Sequence, residues 1–194
     1  VVGIGGCVSE TGATCDELSD PVVQEFINAG YVTANEVCER AQQDALRRHG
    51  VRLTVELNGG ILNNHSKKHF KDVPKTDSDF GHFEEAGVES WFLGGDPLGD
   101  ADCFGTKPCF AKPDQALRRD ELAHIIVRSF GLIPTGKAPQ FVDNPLGTPK
   151  ATSMQTAADY CVFVEEEGPS IRPSETLTWL EMMQAFKRVD DGLE

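Results

Sequence analysis

The stretch Pro113-Asp-Gln-Ala-Leu-Arg-Arg-Asp-Glu-Leu-Ala-His-Ile-Ile-Val-Arg-Ser-Phe-Gly-Leu132 predicts a helix of about four turns. Its apolar residues recur at steps of three and four positions: Leu122, Ile125, Ile126 and Phe130. Gly131 is a typical stop after such a helix. Comparable openings occur at 32–36 (Val-Thr-Ala-Asn-Glu) and at 177–181 (Leu-Thr-Trp-Leu-Glu). The sequence therefore predicts three copies of one helical module.

Helix start signals support this division of the chain. Asp20-Pro21 is a cap followed by proline in the first turn, and it predicts a helix that ends at Gly30. The openings of the first and third copies also have the Thr-x-x-Glu spacing of a capping box, in which threonine and glutamate satisfy free backbone N–H groups at the helix start. The residues of these boxes are Thr33, Glu36, Thr178 and Glu181. They are therefore interpreted as structural caps.

Residues 51–57, Val-Arg-Leu-Thr-Val-Glu-Leu, alternate between apolar and polar, and Asn58-Gly59-Gly60 is a strong turn signal. This pattern predicts a small β-hairpin inserted between modules. The predicted fold is mainly α, with five parts: an N-terminal extension (1–18), a degenerate first module (19–50), the hairpin insertion (51–64), a second module (65–134) and a third module (135–194).

Composition excludes several classes of protein. The 194 residues contain 18 Lys and Arg against 31 Asp and Glu, for a net charge of -13, which argues against binding to nucleic acid or to an anionic membrane. No apolar run approaches the roughly 20 residues that span a bilayer, so no membrane insertion is expected. The chain begins at Val1 without an initiator Met. We expect a secreted, extracellular product from which a signal peptide has been removed.

The six cysteines are even in number and form no Cys-x-x-Cys pair, which favours disulfides over zinc, haem or thioredoxin chemistry. Cys103 and Cys109 enclose five residues of a Gly- and Pro-containing loop and are the expected local pair. Pairing among the remaining four is open, with Cys7–Cys15 and Cys38–Cys161 preferred.

Two segments contain metal-ligand residue types. Asp96, Asp100 and Asp102 lie in one loop and could hold calcium through carboxylate oxygens, but their spacing fits no EF-hand and an ordinary acidic loop is favoured. His65 and His69 are four apart, yet the flanking Asn and Pro residues favour a solvated loop over a metal site. The sequence therefore predicts no cofactor, with calcium as the one open possibility.

The middle copy carries a longer pattern: Phe-x-Asp-Val-Pro, a helix, a Gly-rich loop, Phe-x-x-Pro-Asp, then Leu-x-Arg-x-Glu-Leu-Ala opening a helix. The matching residues are Phe70, Asp72, Val73, Pro74, Phe110, Pro113, Asp114, Leu117, Arg119, Glu121, Leu122 and Ala123. In this pattern the chain resembles the S-layer homology (SLH) domain over about residues 19–189, most closely in the middle copy and only partially in the other two.

The resemblance implies three modules in a pseudo-threefold bundle, on a bacterial surface, that attach to anionic cell-wall polysaccharide. In such domains an arginine at the position of Arg119 lines the groove between modules, where its planar donors suit a carboxylate. Asp72 and Phe80 are candidates for the same groove. Aligned on the predicted openings, the equivalents of Arg119 are Ala34 and Trp179, so one groove keeps the charge.

The function predicted from these observations is non-enzymatic. No nucleophile elbow, zinc-protease or phosphate-loop motif is present, so no catalytic residue is assigned. Acid pairs such as Asp77 with Asp79, or the run 165–167, would fit a glycan-active enzyme only if their carboxyl groups stood at a fixed separation across a cleft. A self-assembling surface protein is favoured over a monomeric cell-wall anchor, because two groove arginines are replaced and no anchored cargo is evident. Residues 1–6 and the hairpin at 51–62 are the expected subunit contacts.

Overall fold

This computed structural model describes residues 16–62, 69–92, 109–136, 141–144, 149–163 and 170–193. In this part of the chain a short 3-10 turn, Asp16–Ser19, precedes seven helices: α1 (Pro21–Asn28), α2 (Ala34–Arg40), α3 (Arg47–Leu57), α4 (Phe80–Val88), α5 (Arg119–Ser129), α6 (Pro149–Asp159) and α7 (Trp179–Leu193). The described residues form isolated β-bridges but no β-strand. The predicted mainly helical fold is confirmed.

Several helix boundaries follow the predicted signals. The side chain of Asp20 accepts a hydrogen bond from the Val22 N–H at 2.8 Å and caps α1. Thr33 and Glu36 form a complete capping box at the start of α2, and Thr178 and Glu181 exchange the same pair of bonds before α7. All three predicted caps are confirmed. The apolar stripe of α5 also faces the core, with Leu122, Ile125 and Ile126 at most 2% exposed.

The predicted hairpin at 51–64 is wrong, because residues 51–57 belong to helix α3. This helix is buried on almost every side, so its apolar residues do not form the single stripe that identifies a surface helix. Gly59 adopts a φ of 63° just after the helix ends. The Asn-Gly pair therefore ends a helix here, as glycine in the left-handed region commonly does, and makes no hairpin turn. The predicted boundary at 50/51 cuts through α3.

Three short segments, each ending at the first residue of a helix, hydrogen-bond to one another in a closed ring. We call them the first (43–47), second (115–119) and third (175–179) bridge segments. The Leu117 N–H donates to the Ala45 carbonyl at 2.7 Å, the Leu177 N–H to the Leu117 carbonyl at 3.1 Å, and the Ala45 N–H to the Leu177 carbonyl at 2.7 Å. These three residues are at most 1% exposed. The ring therefore lies at the centre of the core.

A second set of backbone bonds repeats around the ring. The N–H groups of Arg47, Arg119 and Trp179 donate to the carbonyls of Gln115, Glu175 and Gln43, at 2.9, 2.9 and 3.0 Å. α3 packs against α4 and α5 against α6, in each case the next helix along the chain, whereas α7 packs against α1 at the start of the described chain. Each pair of bridge segments thus forms a junction with the same bonding pattern.

This pattern corrects the predicted alignment of the copies. Leu46, Arg118 and Thr178 each precede a ring helix, α3, α5 or α7, so the equivalents of Arg119 are Arg47 and Trp179. Ala34, the predicted equivalent, begins the short helix α2 and takes no part in the ring. The predicted first-copy opening at 32–36 therefore starts an additional helix, and two of the three positions hold arginine.

Candidate functional site

Arg47 is the first residue of α3 and is 2% exposed. It contacts α5, the helix that follows the second bridge segment, and the residues just before that segment. Its guanidinium makes a two-pronged contact with Glu121: Nη2 pairs with Oε1, and Nε lies 3.3 Å from Oε2. Nη1 also donates to the Ala111 carbonyl at 3.2 Å. A planar guanidinium suits such a paired carboxylate contact. This buried ion pair links the first and second bridge segments' helices.

Arg119, the residue predicted to line a groove, is 7% exposed. Its Nε donates to the Ile171 carbonyl at 3.0 Å, and its guanidinium carbon lies 4.6 Å from the centre of the Phe163 ring. Stacking of a guanidinium on an aromatic face is a favourable cation–π contact. Arg119 thus bonds to the chain just before the third bridge segment in the way that Arg47 bonds before the second.

Trp179 occupies the third equivalent position and is 2% exposed. Its indole N–H donates to Nδ1 of His49, and the two rings meet edge-on, with centres 4.8 Å apart and planes at 73°. His49, Glu121 and Glu181 stand three residues into helices α3, α5 and α7, and each accepts the N–H of the residue before its helix. At this junction an aromatic pair replaces the arginine–glutamate pair.

The predicted groove residue Asp72 lies against the backbone. Its carboxylate accepts the N–H groups of Ala111 and Lys112 at 2.7 and 2.6 Å. Asp143 repeats this with Ile171 and Arg172, at 2.9 and 2.8 Å. Both clamped turns contain a residue with φ of 51°, Lys112 or Arg172. The two aspartates therefore fix the loops whose carbonyls receive Arg47 and Arg119.

We expect Asp72→Ala to lower the free energy of unfolding by about 2 kcal/mol, because two backbone donors lose a charged acceptor and Lys112 loses a restraint on a strained conformation. The measurement is urea denaturation. Asp114→Ala is the control, since that side chain is 74% exposed and its pairing with Arg48 is worth little. Equal effects of the two substitutions would contradict the clamp.

Ion pairs link α3 to the residues just before α4, and α6 to α5. Arg48 contacts the carboxylates of Asp77 and Asp79 at 3.3 and 2.7 Å. On the other side Lys150 of α6 lies 3.7 Å from Asp120 of α5, and Arg118 also pairs with Asp120. The acid pair considered for glycan hydrolysis, Asp77 with Asp79, is thus compensated by one arginine. The run 165–167 lies outside the described residues.

The pKa values of two buried histidines are strongly lowered. Burial, followed by the charges of Arg40, Arg52 and Arg48, lowers the pKa of His49 to about 4. Burial also lowers the pKa of His124 in α5 to about 4, with smaller effects from Arg128 and Lys150. The Nδ1 atom of His124 lies 2.9 Å from the Ser153 hydroxyl of α6. Both imidazoles are therefore neutral at pH 7.

The remaining predicted residues fall into two groups. Phe80 is 9% exposed and belongs to the hydrophobic core, and His69 bonds to Glu84, which is fully buried, at 2.7 Å. The calcium candidates Asp96, Asp100 and Asp102, and the histidine at 65, lie outside the described residues. No group of three or more His, Cys, Asp or Glu suited to a metal occurs in the described ranges.

The disulfide predictions have mixed outcomes. Cys109 is disulfide-bonded, and its predicted partner, Cys103, lies outside the described residues, as do Cys7 and Cys15. The preferred pairing of Cys38 with Cys161 is wrong, because both are free thiols. Cys161 is exposed in the turn after α6, with φ of 57°, rather than on the buried stripe of that helix. A pairing preferred from the sequence alone carries no information on the distance between the two residues.

Sequence reasoning missed Arg47 and His49 as residues that join the bridge segments and their helices. The available signal was the identity of Ala-Leu-Arg-Arg at 45–48 and 116–119, although the structural equivalence is shifted by one residue. No family model matches the chain, and no curated protein matches it at a significant level. Among the residues that the structure describes, no helix is long and apolar enough to cross a membrane.

Proposed function

We propose that this chain is a non-enzymatic structural protein of a bacterial cell surface, which assembles with copies of itself into an extracellular lattice, tube or filament. In this proposal it consists of three SLH-like modules in a pseudo-threefold arrangement. The closed ring of the three bridge segments supports the arrangement, because equivalent backbone bonds recur at all three junctions. The three packed pairs α3–α4, α5–α6 and α7–α1 support it as well.

One observation favours assembly over glycan anchoring: the positions that would present arginines to a sugar are filled by internal contacts. Arg47 is paired with Glu121, Arg119 bonds to a carbonyl and stacks on Phe163, and the third position holds a buried indole. A sugar carboxylate would have to displace these partners, and removing the partner of a buried charge is costly. Interactions with other copies at outer surfaces avoid this cost.

Exposed apolar side chains supply surface for such contacts. Ile61 and Leu62, which follow α3, are 64% and 53% exposed, and Leu62 lies beside Gly81 of α4. Ile133 and Val142 are 72% and 80% exposed. Single exposed apolar residues are common, so the proposal rests on the adjoining pair. The hairpin edge that had been expected to recruit partners is instead the buried helix α3.

The purified full chain is expected to form ordered polymers in negative-stain electron microscopy. The variant Ile61→Asp with Leu62→Asp is expected to reduce polymer formation at least tenfold, because two like charges enter each contact of an already acidic chain. Circular dichroism must show that the variant keeps its helices. Single particles without order at every concentration and ionic strength would overturn the proposal.

A monomeric anchor for anionic cell-wall polysaccharide is the alternative, and one surface favours it. The Phe110 ring is 51% exposed, with the Lys71 ammonium 5.8 Å from its centre, which offers a sugar an apolar face and a cation. In a cell-wall pull-down, Phe110→Ala should then remove retention, whereas Arg119→Ala should leave it unchanged apart from a loss of stability. Retention by a protein that forms no polymers, lost in Phe110→Ala, would favour the anchor.

A further inference from the structure

His49 lies at the junction between the first and third bridge segments, and its contacts differ from those at the other two. Its Nδ1 accepts two hydrogen bonds, from the Leu46 N–H at 3.0 Å and from the indole N–H of Trp179. The side chain is 8% exposed. This one nitrogen atom therefore holds together the start of α3 and the start of α7.

The neutral imidazole with its proton on Nε2 fits the two contacts at Nδ1. Because both partners of Nδ1 are donors, Nδ1 carries the lone pair and the ring proton is on Nε2. In this tautomer the Nε2–H group lies 3.2 Å from Nη1 of Arg40 in α2, and because both groups are donors this contact is not a hydrogen bond. A second proton would have to enter on Nδ1, where it would displace both hydrogen bonds and add a positive charge beside a guanidinium.

The charged groups around His49 mostly oppose protonation. Arg40 and Glu36 face it from α2, and Arg48 and Arg52 face it from its own helix, α3. Glu36 favours the charged imidazole, but its carboxylate also interacts with Thr33 and Arg52. From α7 the neighbour is the uncharged indole of Trp179. Three cations against one anion leave a protonated His49 without compensation.

At the equivalent position α5 and α7 carry glutamates rather than histidine. Glu121 accepts the Arg118 N–H and pairs with Arg47, and Glu181 accepts the Thr178 N–H. A carboxyl group, unlike an imidazole nitrogen, still has an acceptor oxygen after it takes up a proton. Among the three junctions, the one between the first and third bridge segments therefore depends on an acceptor that is lost on protonation.

We propose that His49 is a proton-sensitive latch: mild acid opens the junction between the first and third bridge segments while the other two stay closed. Opening separates Trp179 from His49 and breaks the two backbone bonds of this junction, from Ala45 to Leu177 and from Trp179 to Gln43. The freed backbone groups then become available to solvent or to another chain. The latch does not depend on the proposed assembly function.

Amide hydrogen exchange resolved by residue tests the latch. After correction for intrinsic exchange, protection of the Ala45 and Trp179 amides should fall by about fiftyfold between pH 7 and pH 4.5. The Arg47 and Arg119 amides bond across the other two junctions. Their protection should fall by a factor that is less than a third as large. Equal losses at all four amides would mean that the ring opens as a unit and would overturn the proposal.

His49→Gln supplies the matched variant, because its amide oxygen can accept the Leu46 N–H and does not titrate in this range. We expect the selective loss to disappear in His49→Gln and to persist in His124→Gln, which removes the other buried histidine. Persistence of the selective loss in His49→Gln would also overturn the latch. If this variant fails to fold, an NMR titration of the His49 ring in the wild-type protein provides the test. Titration of this ring above pH 6 would contradict the latch.

Discussion

Arg47→Met is expected to lower the free energy of unfolding by about 3 kcal/mol. The change keeps an aliphatic stem of similar length but leaves the Glu121 carboxylate, which is 6% exposed, without its paired contact. A buried charge that has lost its partner typically costs about 3 to 5 kcal/mol. Lys150, 3.9 Å from Glu121, compensates in part, so we expect the lower end of that range. Urea denaturation followed by circular dichroism measures the loss.

A double-mutant cycle separates the pair from its surroundings. Glu121→Gln alone removes the carboxylate that pairs with Arg47 and is also expected to destabilise the protein, whereas Arg47→Met with Glu121→Gln should recover about half of the summed loss. Arg172→Met is the control, because Arg172 is partly exposed and pairs with the exposed Glu175. Additive single effects in the cycle would show that the contact is energetically unimportant.

The local signals of this chain were sufficient to predict the starts of α1, α2 and α7 and the mainly helical fold. Capping at Asp20, Thr33 and Thr178 depends on residues within three positions of one another, and the structure has all three caps. The stripe of α5 was also readable, because that helix shows the three- and four-residue spacing of its buried face. Such features are determined before the chain packs.

The first bridge segment could not be predicted in the same way. The residue before α3 is Leu46, whose side chain has no acceptor that could cap the helix. The acceptor at this helix start is the imidazole of His49, which accepts the Leu46 N–H. The helix is buried nearly all round, so its apolar pattern also fits a strand. The only repeat signal, Ala-Leu-Arg-Arg at 45–48 and 116–119, is displaced by one residue from the structural equivalence.

The candidate site depends on contacts that no local pattern specifies. Arg47 meets Glu121 across 74 positions, and His49 meets Trp179 across 130. Each pair forms only because the bridge segments meet at the centre of the core, where Ala45, Leu117 and Leu177 exclude water. Because of the same long-range packing, the arginine predicted to line a groove donates a hydrogen bond to a backbone carbonyl inside the protein. A residue's position in a motif therefore did not determine which way its charge is directed.

Between pH 6.5 and pH 4, the free energy of unfolding is expected to fall by about 2 to 3 kcal/mol for each of His49 and His124. Burial lowers the pKa of each to about 4, whereas an unfolded histidine titrates near 6.5. In this window the unfolded chain binds more protons than the folded one, so stability is greatest above pH 6.5 and decreases as the pH falls. Well below pH 4 the folded histidines are protonated too, and their contribution becomes constant.

Urea denaturation at pH 7, 6, 5 and 4.5 measures this slope, and His124→Gln should remove about half of it. Carboxylates act in a lower window: hydrogen bonds outweigh burial and lower the pKa of Asp143 and of Glu36, so their stabilisation is lost mainly below about pH 4. The part of the loss between pH 6.5 and pH 4.5 that disappears in each histidine variant is the contribution of that imidazole. An unchanged slope in both His49→Gln and His124→Gln would show that neither imidazole is held neutral by the fold.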